Sequence, residues 1–230
     1  MHAGRFEYTN VPTRPLGRGL RLLASVSPGV RGTLADVEPY AKAWSLHNER
    51  AATTSGPLWL VLGDSMAQGI GASAFDRGWV GQLADQLDPA YRMINLSFHG
   101  ARVPDVLERQ WATAVTLGEP ALVTLLIGSN DIASRTLRRS VVANYADLIG
   151  ALPDGAVMAT LPNPFRTARA INRMVIEAGR DRGMVVADLR PLLHGPWRGQ
   201  RAADHFHPND DRYAAIARVF AAAIAAGRAR

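Results

Sequence analysis

Four short segments carry side chains whose types and spacing suit chemistry at a carbonyl. Gly63-Asp64-Ser65 follows an apolar run, so Ser65 would bring a hydroxyl to the point where a strand gives way to a loop or helix. Backbone N–H groups at a helix start also favour developing negative charge. Asp and Ser are strong helix caps as well, and a capping role for Asp64 or Ser65 is the plainer alternative. Asp204-His205-Phe206-His207-Pro208 sets Asp204 and His207 three apart, close enough to meet over one turn. An Asp that accepts from a His Nδ1–H fixes the tautomer and leaves Nε2 free as a base. Two other readings stay open: a turn before a helix with a satisfied histidine, or a metal site from Asp204, His205 and His207. No second cluster with ligand spacing accompanies the latter. Asn95-Leu96-Ser97-Phe98-His99-Gly100 ends on a glycine that permits close backbone approach to a ligand, or simply a turn. Gly128-Ser129-Asn130-Asp131 offers an amide able to donate to an oxyanion, although all four are turn formers. Each segment is weak alone. Together they hold a nucleophile, a base, an orienting carboxylate and oxyanion donors, the parts of one acyl-transfer mechanism.

These segments need elements to hold them. From Pro57 onward, short apolar runs at Leu58–Leu62, Met93–Leu96, Leu122–Ile127, Val157–Leu161 and Met184–Ala187 alternate with amphipathic stretches. The stretches are Trp79–Leu87, Asp105–Thr116, Leu137–Leu152, Thr167–Arg180 and a final Ala-rich helix over Asp210–Arg228. Runs that are apolar nearly throughout are those of strands covered on both faces, as in parallel sheets. The alternation predicts a doubly wound α/β fold, in which ligands sit beyond the carboxyl ends of the strands. The four segments fall at those ends or just before the last helix. Ahead of this region, residues 1–33 read as irregular, punctuated by Pro12, Pro15, Gly17, Gly19, Pro28, Gly29 and Gly32. The mixture of Arg with Leu16, Leu20, Leu22 and Leu23 suits an arm packed on the domain better than a membrane-surface helix. A helix is expected over 35–52. The chain therefore divides into an N-terminal arm and helix, 1–55, and a main domain, 56–230.

Composition narrows the classes. The chain has 230 residues, 47% hydrophobic and 20% charged, with no cysteine. Disulfide frameworks, thiolate metal sites and cysteine nucleophiles are excluded. Net charge is +6, but the basic residues are nearly all Arg, spread along the chain among acidic ones. A nucleic-acid partner is not expected, since such surfaces cluster their basic residues. No apolar run approaches the roughly 20 residues of a membrane span. The first residues lack the apolar centre of a signal peptide, so cytoplasmic residence is the default expectation.

The four segments resemble the SGNH hydrolase family, also called GDSL esterases and lipases. The likeness rests on Gly63-Asp64-Ser65, Asn95 to Gly100, Gly128-Ser129-Asn130-Asp131 and Asp204-His205-Phe206-His207-Pro208, in matching order and spacing from about Pro57 onward. It implies a three-layer α/β/α, flavodoxin-like sandwich with a parallel sheet of about five strands. It also implies roles: Ser65 as nucleophile, His207 as its base, and Asp204 orienting His207. The oxyanion hole would comprise the N–H groups of Ser65 and Gly100 and the Asn130 amide. No metal or organic cofactor is implied. Met66 stands where the family usually has Leu, and His99 and Ser97 where small residues are common. The G-x-S-x-G elbow of α/β-hydrolases is not found at this serine, because position 67 is Ala.

The expected activity is hydrolysis of a small-molecule or lipid carboxylic ester through an acyl-serine. The alternatives are an acyltransferase using the same acyl-serine and a non-catalytic binding module that keeps the fold. Met66, Ile70, Phe98, Ile132, Pro162, Pro164, Phe165 and His205 follow the strand ends and are the candidate substrate-binding residues.

Overall fold

The computed structural model describes residues 6–12, 14–15, 17–87, 91–194 and 199–229. Residues 1–5 and Leu16, which entered the reading of the N-terminus, lie outside them. Five parallel strands form one sheet: β1 (Leu58–Gly63), β2 (Arg92–Asn95), β3 (Leu122–Leu126), β4 (Val157–Ala159) and β5 (Val185–Ala187). Their order is β2-β1-β3-β4-β5. Every residue of β1 and β3 is buried, as expected of central strands covered on both faces. Register is continuous across the centre, with Leu60 beside Ile94 on one side and Val123 on the other. The chain reverses its strand order at β1, so a crevice opens beyond the carboxyl ends of β1 and β3.

Helices cover the sheet in two groups. α4 (Trp79–Ala84) packs on the C-terminal α10 (Asp210–Arg228), where Trp79 stacks on Phe220 with centroids 4.2 Å apart. The other group is α5 (Val103–Asp105), a π-helical stretch (Val106–Trp111), α6 (Ala112–Ala114), α8 (Val141–Ala151) and α9 (Arg166–Asp181). The short α7 (Ser129–Ala133) follows β3. No helix among the described residues is long and apolar enough to cross a membrane.

The N-terminal region departs from the sequence expectation. Ahead of α3 (Val37–Ala52), which falls on the helix expected over 35–52, residues 18–35 form two helices in place of an irregular arm, α1 (Arg18–Val26) and α2 (Pro28–Ala35). The Pro-Gly pair that reads as a breaker in fact starts a helix. Pro28 occupies the first helical position, where its missing N–H costs nothing, and the Ser27 hydroxyl caps it by accepting from Val30 N. α3 lies against the edge strand β2. The Asn48 side chain acts there as a substitute strand: its Nδ2 donates to the Asn95 carbonyl at 2.7 Å and its Oδ1 accepts from Asn95 N at 2.8 Å. Asn10, fully buried, donates to the carbonyls of Asn95 and Ser97, both at 2.7 Å. The leading segment is thus bonded to the strand end that precedes Gly100.

Candidate active site

Three of the site's segments are held by one recurring device: an amide side chain that both donates to and accepts from the backbone of a single residue. Besides Asn48 on Asn95, Gln110 accepts from Gly63 N at 2.9 Å and donates to Gly63 O at 2.8 Å. Asn172 does the same for Leu161, just after β4, at 2.7 and 2.9 Å. Strand ends lose their sheet partners as the strands diverge, and buried backbone groups left unpaired are costly. The amides supply those partners and fix where each loop begins.

Beyond Gly63 the chain turns, and Ser65 is buried, 5% exposed. Its Oγ lies 3.0 Å from His207 Nε2. His207 Nδ1 lies 2.6 Å from Asp204 Oδ2. The other Asp204 oxygen accepts from the backbone N–H groups of Phe206 and His207, at 2.9 and 3.0 Å. The loop is closed by Ala202 N donating to His207 O at 2.9 Å, and α10 starts directly after it with the Asn209 side chain accepting from Arg212 N. Gly71 backs the imidazole. Its φ is +95°, and a Cβ there would sit 2.8 Å from His207 Cβ, so only glycine lets this turn pass.

Burial tends to raise the Asp204 carboxyl. The hydrogen bond and charge of His207 and the two backbone donors outweigh it and hold the group at about 2. Asp204 is therefore ionised at neutral pH, the state that orients an imidazole with its proton on Nδ1. Asp64 differs. It is 1% exposed, and burial pushes it up to about 6 against the pull of Met66 N, which donates to its Oδ1 at 3.0 Å. His99 is pushed down to about 4 by burial and then by the nearby His207, so it is neutral at pH 7. Its Nδ1 is buried with no hydrogen-bond partner among the described residues.

The candidate oxyanion donors gather around the same point. Neither Ser65 N nor Gly100 N donates a hydrogen bond among the described residues. Asn130, on α7, donates from Nδ2 to Ala101 O at 2.9 Å and lies 3.4 Å from Asp64 Oδ2. Ser65, Gly100, Asn130, Asp204 and His207 all line one cavity of about 390 Å³. A smaller one, about 220 Å³, opens from Ser65, Asn130 and His207 on the other side. A larger open depression of about 720 Å³, near Phe6, Arg92 and Arg109, holds none of these groups. A serine hydroxyl hydrogen-bonded to an imidazole that a carboxylate orients can attack a carbonyl, with unpaired N–H donors alongside for the resulting oxyanion.

The substrate-binding candidates divide. Met66, Ile132, Pro162 and Phe165 line the smaller cavity and Phe98 the larger. His205 and Pro164 are exposed and Ile70 is fully buried, and none of the three lines either cavity. Instead, His205 adopts φ +57° at the tip of the turn between Asp204 and His207. Phe206, passed over in the sequence, lines both cavities with its ring centroid 5.0 Å from that of His207. Leu20, Leu23, Val30 and Leu34 of α1 and α2 also reach the larger cavity. The spacing of Leu20 and Leu23, and of Val30 and Leu34, is a helical signal that the surrounding Gly and Pro obscure.

The fold is a three-layer α/β/α sandwich on a five-stranded parallel sheet, with these segments gathered at the carboxyl ends of its strands and ahead of its last helix. The profile of the GDSL-like lipase/acylhydrolase family matches residues 61–215, and the chain belongs to that family. Among solved structures, it is similar to TesA, with 20% identity and a TM-score of 0.59, covering 74% of this chain and 99% of that one. The psychrotrophic esterase EstA from Pseudoalteromonas sp. gives 19% identity and 0.58, covering 75% and 99%. The salicylyl-acyltransferase SsfX3 of a tetracycline biosynthetic pathway gives 18% and 0.50, covering 77% of this chain and 56% of that one. These likenesses establish the fold. No curated protein sequence matches the chain.

Proposed function

We propose that the chain hydrolyses carboxylic esters through an acyl-serine. The observation that carries this reading is the continuous relay from Ser65 Oγ through His207 to Asp204, closed over 142 positions of sequence, with Ser65 and His207 lining both cavities. Ser65 Oγ attacks the ester carbonyl while His207 Nε2 takes its proton. Asp204 keeps the Nδ1 proton in place and stabilises the imidazolium. The tetrahedral oxyanion is held by Ser65 N, Gly100 N and the Asn130 amide, which turns from Ala101 O toward it. The alcohol leaves with the proton from His207. Water, deprotonated by the same Nε2, then releases the acid and restores Ser65. One oxyanion donor is typically worth a hundred- to thousandfold in rate.

The deciding experiment is hydrolysis of p-nitrophenyl acetate by the wild type and Ser65→Ala, with fluorophosphonate labelling of both. Turnover and labelling that vanish together in Ser65→Ala are the expected result. Equal turnover by both proteins, or labelling elsewhere, overturns the assignment of Ser65. Addition of an alcohol acceptor distinguishes transfer from hydrolysis: a new ester formed in preference to free acid assigns acyl transfer to the same serine.

A further inference from the structure

We propose that α1 and α2 build a chain-binding wall, so that the larger cavity takes the linear apolar chain of an ester whose carbonyl sits at Ser65. The inference rests on the ester-hydrolase reading and adds the substrate class. These helices lie outside residues 61–215, where the family profile matches, so the wall stands apart from the matched region. The cavity of about 390 Å³ has the size of a small-molecule site. Leu20, Leu23, Val30 and Leu34 offer its occupant no hydrogen bond, and Phe98 and Phe206 add further apolar surface near Ser65 and Gly100. Alkyl surface is what such a wall removes from water most favourably. The charged groups in its lining are Asp204 of the relay, Arg14, paired with Asp105, and Arg102.

The wall is fixed to the catalytic loop itself. Gly29 packs on the backbone of Ala203, the neighbour of Asp204, so closely that a Cβ there would come within 2.0 Å of the Ala203 carbonyl oxygen. Behind α2, Trp44 Nε1 of α3 donates to Gln68 O at 3.0 Å and Tyr40 to Ala72 O at 2.8 Å, tying the helices to the turn after Ser65. Wall and nucleophile are therefore parts of one packed unit.

The test uses two ester series, p-nitrophenyl acetate to decanoate and ethyl to octyl acetate, with wild type and the double variant Leu20→Asp/Leu34→Asp. In wild type, kcat/KM should rise roughly fourfold per methylene along one series. The series that responds shows whether the acyl or the alcohol chain occupies the cavity. The double variant should lower the longest-to-shortest ratio about tenfold or more. A wild-type profile flat in both series, or an unchanged ratio in the double variant, overturns the proposal. Should the double variant not fold, Leu20→Ala carries the same comparison. Acetate turnover independent of Ser65 would sink the hydrolase reading instead. The wall is then read without chemistry by calorimetric titration of 1-octanol into Ser65→Ala with and without the two Asp substitutions. Binding weakened about tenfold supports it, and equal binding refutes it.

Discussion

Gln110 grips Gly63 by two hydrogen bonds, 2.9 Å from Gly63 N to Oε1 and 2.8 Å from Nε2 to Gly63 O, two residues before Ser65. Gln110 is fully buried within the π-helical stretch Val106–Trp111, a rare geometry that often marks a functional position. The position of the candidate nucleophile thus depends on a side chain 47 residues beyond Gly63. In Gln110→Ala both Gly63 groups are buried without partners, at about 1–3 kcal/mol each. Urea unfolding should show a loss of about 2–6 kcal/mol. The kcat for p-nitrophenyl acetate should fall on the order of a hundredfold through misplacement of Ser65. Unchanged kcat with lowered stability would show that the grip serves folding alone.

Asp204→Asn should leave the loop folded, because an amide oxygen can still accept from Phe206 N and His207 N. The carboxylate that selects the Nδ1–H tautomer is gone, and a loss of kcat of roughly 10⁴ is expected, as for comparable relays. Retention of more than a tenth of wild-type kcat would remove Asp204 from the orienting role.

Two buried carboxylates give stability opposite pH dependences. Asp204 is held at about 2, below its ordinary value of 3.8. Its contribution is present above about pH 4 and lost as pH falls through 2. Asp64 is raised to about 6. Its contribution is present below about pH 4 and lost as pH rises through 6, because the buried group must then ionise. Asp64→Asn removes this loss. Its stability relative to wild type should improve by about 3 kcal/mol between pH 4 and pH 7. Denaturant titrations at the two pH values test this, and a constant difference would mean that Asp64 ionises in the folded protein as readily as in the unfolded chain.

His205 holds φ +57° with its side chain in solvent. A left-handed backbone costs a non-glycine residue roughly 1–2 kcal/mol. His205→Gly should therefore raise Tm by about 2–4 °C, offset in part by the greater freedom of glycine in the unfolded chain. A lowered Tm would reveal a contribution of the imidazole that outweighs the strain.

The sequence by itself determined the periodic parts of this protein. The apolar runs at 58–62 and 122–127 read as strands covered on both faces, and in the structure they are the buried β1 and β3. α9 and α10 lie within one residue of their sequence ranges, because long amphipathic or Ala-rich stretches repeat one signal over many turns. The five-stranded parallel sheet and the family followed from the same local patterns and the order of the four segments. Features decided by contact between distant residues were not legible. Ser27-Pro28-Gly29 looks like a break, and it becomes a helix start because α2 packs on Ala203 and α3. Gly128-Ser129-Asn130-Asp131 looks like a turn, yet α7 begins there, with Ile132 and Asp131 buried. Nothing local marks Asn48, Gln110 or Asn172 as backbone partners, since an amide side chain is equally at home on a wet surface. Only the folded chain brings each to a strand end, where an unpaired N–H and C=O make its two hydrogen bonds worth their desolvation. The two cavities beside Ser65 are likewise creatures of packing, and tertiary structure alone set Leu20 and Leu34 facing a serine far along the chain.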